Sequence, residues 1–147
     1  MFENMVARAY KLYQQELEAN QALDFDDLIM KTIELLESDQ ETLEFYQDKF
    51  HYIHVDEYQD TNYIQELLVF LLAGDSKNIC VVGDDDQGLY RFRGATIRNI
   101  LEFRNHFEEG QCQKIKLVEN YRSEKSIIDF YNQWMKTTDG RQYGFLW

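Results

Sequence analysis

Apolar positions recur along this chain at two different periods, and the way those periods alternate predicts its architecture. Residues 2 to 18 space Val6, Tyr10, Tyr13 and Leu17 at helical intervals. Asp24 then opens a second helical run in which Phe25, Leu28, Ile29, Thr32, Ile33 and Leu36 share one face. From His51 to Val55 the chain becomes β-branched and aromatic and stops abruptly at Asp56-Glu57, as a strand does. Ile64, Leu67, Leu68, Leu71 and Leu72 mark a further helix, closed by Gly74. Ile79 to Val82 is a short apolar run between Lys77-Asn78 and Gly83-Asp84, as a buried parallel strand would be. Thr96 is placed to cap a helix through Ile97, Ile100, Leu101 and Phe107. A strand at Ile115 to Val118 follows, and Ser123 is placed to cap a last helix through Ile127, Tyr131 and Trp134.

The expected order is therefore ααβαβαβα, an α/β layer fold around a parallel sheet. Ligands of such folds gather at the carboxyl ends of the strands. The loop Glu108-Glu109-Gly110-Gln111 is the expected boundary between two units. With 147 residues, 44% hydrophobic and 15% aromatic, the chain can bury one compact core. No apolar run approaches the roughly 18 residues a membrane span needs, so a soluble protein without membrane partners is expected. Cys80 and Cys112 have neither disulfide-framework nor zinc-ligand spacing, which suits a reducing cytoplasmic setting.

Charge changes the picture in the middle of the chain. The net charge is −12, yet residues 91 to 125 hold 8 basic and 5 acidic side chains, whereas residues 1 to 90 hold 5 and 20. An acidic chain argues against nucleic acid in general, and a local basic island weakens that objection.

Three polar clusters fall at expected strand ends. In Val55-Asp56-Glu57-Tyr58-Gln59-Asp60, adjacent carboxylates could hold a hydrated Mg²⁺ through one group and deprotonate a water through the other. The same acids could simply be solvated at a strand end and favour the start of the next helix. The run Val82 to Ala95 puts acids and Gln87 beside a strand end, then interleaves Tyr90 and Phe92 with Arg91 and Arg93. Aromatic faces stack on unpaired bases while guanidinium groups meet phosphates. Alternatively the two aromatics are core residues of a strand whose arginines face water. A calcium loop is disfavoured, because the acids are contiguous and no closing Glu follows. The third cluster, Glu119-Asn120-Tyr121-Arg122-Ser123, could address a phosphate through Arg122 and a helix amino terminus, or could be an ordinary helix start.

Taken in order, Asp24-Phe25-Asp26-Asp27-Leu28, Val55 to Thr61, Val82 to Ala95 and Asn120 to Ser123 resemble successive motifs of the UvrD/Rep/PcrA helicases of superfamily 1. The run Gly83 to Ala95 is similar to that family's GDxDQSIYxFRGA, with Gly88 where Ser is usual and Leu89 where Ile is commoner. The resemblance covers about residues 10 to 130 and implies a partial RecA-like, P-loop NTPase-like fold. Residues 1–110 would be the back half of a first RecA-like domain and 111–147 the opening of a second. It implies ATP and Mg²⁺ as cofactors, with Asp56 as metal ligand, Glu57 activating the attacking water and Gln87 sensing the γ-phosphate. Tyr121 would stack on the adenine and Arg122 would reach the γ-phosphate. Tyr90, Phe92 and Arg93 would contact single-stranded DNA, and duplex junctions would be the substrate of the complete enzyme.

One part of that family's machinery is absent. None of the seven glycines is followed by Lys, so there is no G-x-x-x-x-G-K-[ST] loop to wrap the phosphates. The remainder of the helicase is therefore expected to lie outside this chain, and the isolated 147 residues are expected to hydrolyse no ATP. A different class of reading is a non-catalytic module that binds single-stranded DNA or a helicase partner through Tyr90 to Arg93. A metal-dependent nuclease built on Asp56, Glu57 and Asp60 is weaker, because His51 and His54, spaced by three in a strand, cannot both join the acids on one face.

Overall fold

The computed structural model describes residues 2–87 and 97–138. It is helix-rich around a small parallel sheet: α1 (Phe2–Ala19), α2 (Phe25–Ser38), α3 (Gln40–Lys49), β1 (Ile53–Val55), α4 (Tyr63–Ala73), β2 (Ile79–Val81), α5 (Ile97–Glu102) and α6 (Lys125–Thr138). Short 3-10 turns at Tyr58–Asp60, Gly74–Ser76, Asp85–Gln87 and Phe103–His106 join them.

Local chemistry sets most of the helix ends. Asp24 caps α2 by accepting from the Asp27 amide at 2.8 Å, and Asp27 reaches back to the Asp24 amide. Asn62 and Gln65 repeat that reciprocal pair at the start of α4. Asp39 closes α2 through its backbone and opens α3 through its side chain, so one residue serves two helices. Gly74 ends α4 at φ 53°, ψ −147°, where a side chain is strained and a Cβ would lie 2.9 Å from the Gln47 side chain.

β1 and β2 pair in parallel with Ile53, His54 and Val55 opposite Ile79, Cys80 and Val81. A crossover through α4 supplies the connection that parallel pairing needs. His54 and Cys80 are exposed on one face, and the four flanking residues are half-buried on the other. The core lies where α2, α3 and α4 meet, around Ile33, Leu36 and Leu43, and continues on the other side of α4. There Tyr58, Phe70, Phe103 and Phe107 pack edge-on or tilted, with ring centroids 5.1 to 6.2 Å apart.

Four departures from the sequence reading have physical reasons. Helix α3 was not expected, because its apolar residues Leu43, Phe45 and Tyr46 make a weak stripe; the Asp39 cap and Leu43 burial hold it. The α2 face is rotated: Ile33 and Leu36 are buried, whereas Phe25 and Leu28 are 90% and 52% exposed. The expected strand Ile115 to Val118 does not form. These residues have no regular structure, and Ile115, Leu117 and Val118 stand in solvent, because among the described residues no strand pairs with them. Finally, α6 begins at Lys125, which puts the capping position at Glu124 and not Ser123. The expected cap Thr96 lies outside the described residues. No described helix is long and apolar enough to cross a membrane.

Candidate functional site

The two parallel strands run in register and deliver their polar sequels to the same sheet end, where a fixed set of bonds holds them. The ladder continues past the strands, since the Val82 amide donates to Val55 O at 2.8 Å and the Tyr58 amide to Val82 O at 2.9 Å. Between these bonds lie Asp56 and Glu57. Glu57 adopts the left-handed conformation, φ 50°, ψ 43°, which costs a non-glycine residue free energy and collects at functional sites. Its neighbour Tyr58 is fully buried, and its hydroxyl donates to Glu66 Oε1 at 2.7 Å, so the turn after Glu57 is anchored beneath.

Gln59 is 2% exposed and joins the two strand ends. Its Nε2 donates to Glu57 Oε2 at 2.6 Å, and its Oε1 accepts from the Asp84 amide at 3.1 Å. Gly83 explains how the second loop approaches so closely: a Cβ there would meet Gln59 Oε1 at 2.6 Å and Ile100 Cδ1 at 2.8 Å. Asp84 Oδ2 in turn accepts from Gln87 Nε2 at 2.7 Å. Buried Asn99 of α5 donates to Thr61 O and Thr61 Oγ1, both at 3.3 Å, which fixes α5 against the turn.

The Asp56 carboxylate is exposed, and its Oδ1 accepts from the Glu57 amide at 2.9 Å. A single hard carboxylate beside a strand suits Mg²⁺, which keeps most of its waters and takes its other ligands from substrate phosphates. Among the described residues no group of three or more His, Cys, Asp or Glu is gathered as an all-protein metal cage requires. Asp60 Oδ1 is shut off from solvent with no hydrogen-bond partner.

Asp56, Glu57 and Gln87 are thus brought to one end of the sheet, the first two directly and Gln87 through Asp84 and Gln59. Tyr121 and Arg122 stand in a separate exposed segment whose bonds are local. Asn120 Oδ1 accepts from the amides of Arg122 and Ser123, both at 2.9 Å, and the Tyr121 hydroxyl donates to Glu119. That bond raises the Tyr121 pKa above its ordinary value. Tyr121 is 91% exposed. The expected DNA contacts Tyr90, Phe92 and Arg93 lie outside the described residues. The sequence reading gave Gln59 and Asp84 no role of their own; two polar residues, one after each strand, were the only sign of the bridge.

Residues 1–108 match the family model of the UvrD/REP helicase N-terminal domain. The chain is 55% identical over 143 residues to an ATP-dependent DNA helicase PcrA of Staphylococcus epidermidis and 54% identical over 143 residues to one of Staphylococcus aureus. These matches take in 97% of this chain and 19% of each relative's length.

Proposed function

The chain belongs to the UvrD/REP helicase family, and from that premise we propose that it is the part of an ATP-dependent DNA helicase that carries the hydrolytic end of the first RecA-like domain. Residues 1–110 form the back half of that P-loop NTPase-like domain, and residues 111–147 open the second. The observation that carries the reading is the bridge of Gln59 between Glu57 and the Asp84 amide, which holds the acid pair and the Gln87 loop at one sheet end.

In this reading MgATP supplies the phosphoryl group and its metal ion. Asp56 would hold Mg²⁺ through its exposed carboxylate, and Glu57 would accept the proton of the attacking water. Gln87 orients towards the γ-phosphate from the second strand end. Tyr121 offers its exposed ring to the adenine, and Arg122 neutralises charge that develops on the γ-phosphate. Tyr90, Phe92 and Arg93 bind single-stranded DNA, and closure and reopening of the cleft move the complete enzyme along the strand towards a duplex junction. The cytoplasm is the expected compartment.

The isolated chain is catalytically silent for an electrostatic reason. Residues 56–60 and 83–87 contribute six acids and no Lys or Arg, so a triphosphate meets repulsion without a cationic phosphate loop. The test exchanges the matched segment of the Staphylococcus epidermidis helicase for this chain. The chimera is expected to hydrolyse ATP in a DNA-stimulated manner and to lose about 10²-fold or more of kcat on Glu57→Gln, the scale of an absent general base. A folded chimera whose turnover is unchanged by Glu57→Gln overturns the reading, as does robust turnover by the isolated 147 residues.

A further inference from the structure

A line of hydrogen bonds runs from the Glu57 carboxylate to the Gln87 amide through the Gln59 side chain and then the backbone and side chain of Asp84, and of these four residues Gln59 is the buried one. Glu57 Oε2 accepts from Gln59 Nε2 at 2.6 Å, Gln59 Oε1 accepts from the Asp84 amide at 3.1 Å, and Asp84 Oδ2 accepts from Gln87 Nε2 at 2.7 Å. The chemistry fixes which way the Gln59 amide faces, because a carboxylate only accepts and a backbone N–H only donates. The contact has no slack on the loop side, where Gly83 leaves no room for a Cβ beside Gln59 Oε1. On the other side the Glu57 backbone is held in the left-handed region and the next amide is bonded to Val82 O. Gln59 is thus caught between two fixed backbones, with each end of its amide on a different strand's sequel.

We propose that Gln59 is a positioning residue that ties the Glu57 carboxylate to the loop Gly83–Gln87, so that a shift of that loop moves the carboxylate with it. The inference rests on the reading of Glu57 as the base and Gln87 as the phosphate-sensing group. A packing role alone would fill the same volume, yet it would not make Glu57 respond to changes at Gln87.

Nuclear magnetic resonance of the 147-residue chain separates the two. Gln87→Ala is expected to shift the Glu57 side-chain carboxyl carbon in the parent sequence and to leave it still when Gln59→Met is also present. Gln59→Met alone is expected to speed exchange of the Asp84 amide about tenfold, the loss of one hydrogen bond. Gln59→Glu, of the same size, keeps the acceptor for the Asp84 amide and replaces the N–H donor to Glu57 with a second carboxyl, which gives no donor when ionised and an O–H in place of the N–H when protonated. It is expected to move the Glu57 signal with Asp84 exchange unchanged, and adding Glu57→Gln restores a donor between the two positions. Protected amides at Val55 and Val81 report that the sheet is intact, and Gln59→Glu decides the matter if Gln59→Met unfolds the chain. A Glu57 signal indifferent to Gln59→Glu, or an Asp84 amide that exchanges equally in all variants, overturns the proposal. Loss of turnover in the Glu57→Gln chimera would leave the reading of Glu57 standing even then.

Discussion

The hydroxyl of Tyr58 donates a 2.7 Å hydrogen bond to Oε1 of Glu66, with the tyrosine fully buried and the glutamate 8% exposed. The bond ties the turn after the acid pair to the first turns of α4, and it takes the Glu66 carboxylate away from water in exchange for one strong donor.

Tyr58→Phe keeps the ring against Phe103 but leaves the buried carboxylate without that donor, at a cost of about 1–3 kcal/mol in urea unfolding at neutral pH. Burial, then the bond to Glu66, pushes the Tyr58 pKa far above its ordinary value of 10.0. The folded chain therefore keeps a proton that the unfolded chain releases. Stability from this group is complete below about pH 10 and declines as pH rises beyond it. The parent should lose stability along that alkaline arm faster than Tyr58→Phe, and an identical slope for both would show that the phenol is not held as described.

Gly83→Ala tests the close approach of the two loops. The added methyl would lie 2.6 Å from Gln59 Oε1 and 2.8 Å from Ile100 Cδ1, and Gln59 is too deeply buried to move aside. Overpacking of this kind costs about 1–3 kcal/mol. Denaturant unfolding measures it, and the Asp84 amide should lose protection in the same variant. A neutral substitution would mean that the loop can retreat from Gln59 freely.

Asp24 carries the cap of α2 and also accepts from the Tyr13 hydroxyl at 2.9 Å, which fastens α1 to it. The Asp27 amide, then Tyr13, hold its carboxyl below the ordinary value of 3.8. A depressed carboxyl stabilises the fold above the unfolded value and ceases to do so as pH falls through the folded one. Asp24→Ala should lower Tm at pH 7, and the difference from the parent should shrink below about pH 3.8. Circular dichroism melts across that range check it, and a difference that persists at pH 2 would count against the cap as its source.

Period and punctuation made much of the fold legible. The strands at Ile53 and Ile79, their parallel pairing, the Asp24 cap and the Gly74 stop follow from short-range patterns that the structure keeps. The strand expected at Ile115 failed for a non-local reason: an apolar run becomes a strand only beside a partner, and among the described residues none stands there. The rotated face of α2 has a similar cause, since α3 and α4 choose which residues it buries and helical spacing alone does not. At the candidate site, the order of motifs marked Asp56, Glu57 and Gln87 as candidates, and the structure brings them to one sheet end, but the Gln59 bridge depends on two strands brought into register and could not be read from either one.

Helix α1 buries none of its 18 residues, and its ties to the rest include the bonds from Tyr13 to Asp24 and from Gln14 to Asp27. A helix of that length without tertiary packing is marginal in water, because propagation gains little per residue once nucleation is paid for. The exposed apolar residues Phe2, Val6 and Tyr10 therefore contribute little to holding it in this chain. By contrast α2 and α4 enclose Ile33, Leu36 and Ala73 between them and with α3. Hydrogen exchange followed by mass spectrometry should show α1 amides exchanging through local opening, at rates independent of denaturant at low concentration. Amides of α2 and α4 should exchange only through global unfolding. Leu36→Ala, which empties a site 2% exposed, should cost about 2–5 kcal/mol and accelerate α2 and α4 together while leaving α1 rates nearly unchanged. Slow exchange in α1 that tracked α4 through the Leu36→Ala variant would place α1 inside the cooperative unit and contradict its lack of buried residues.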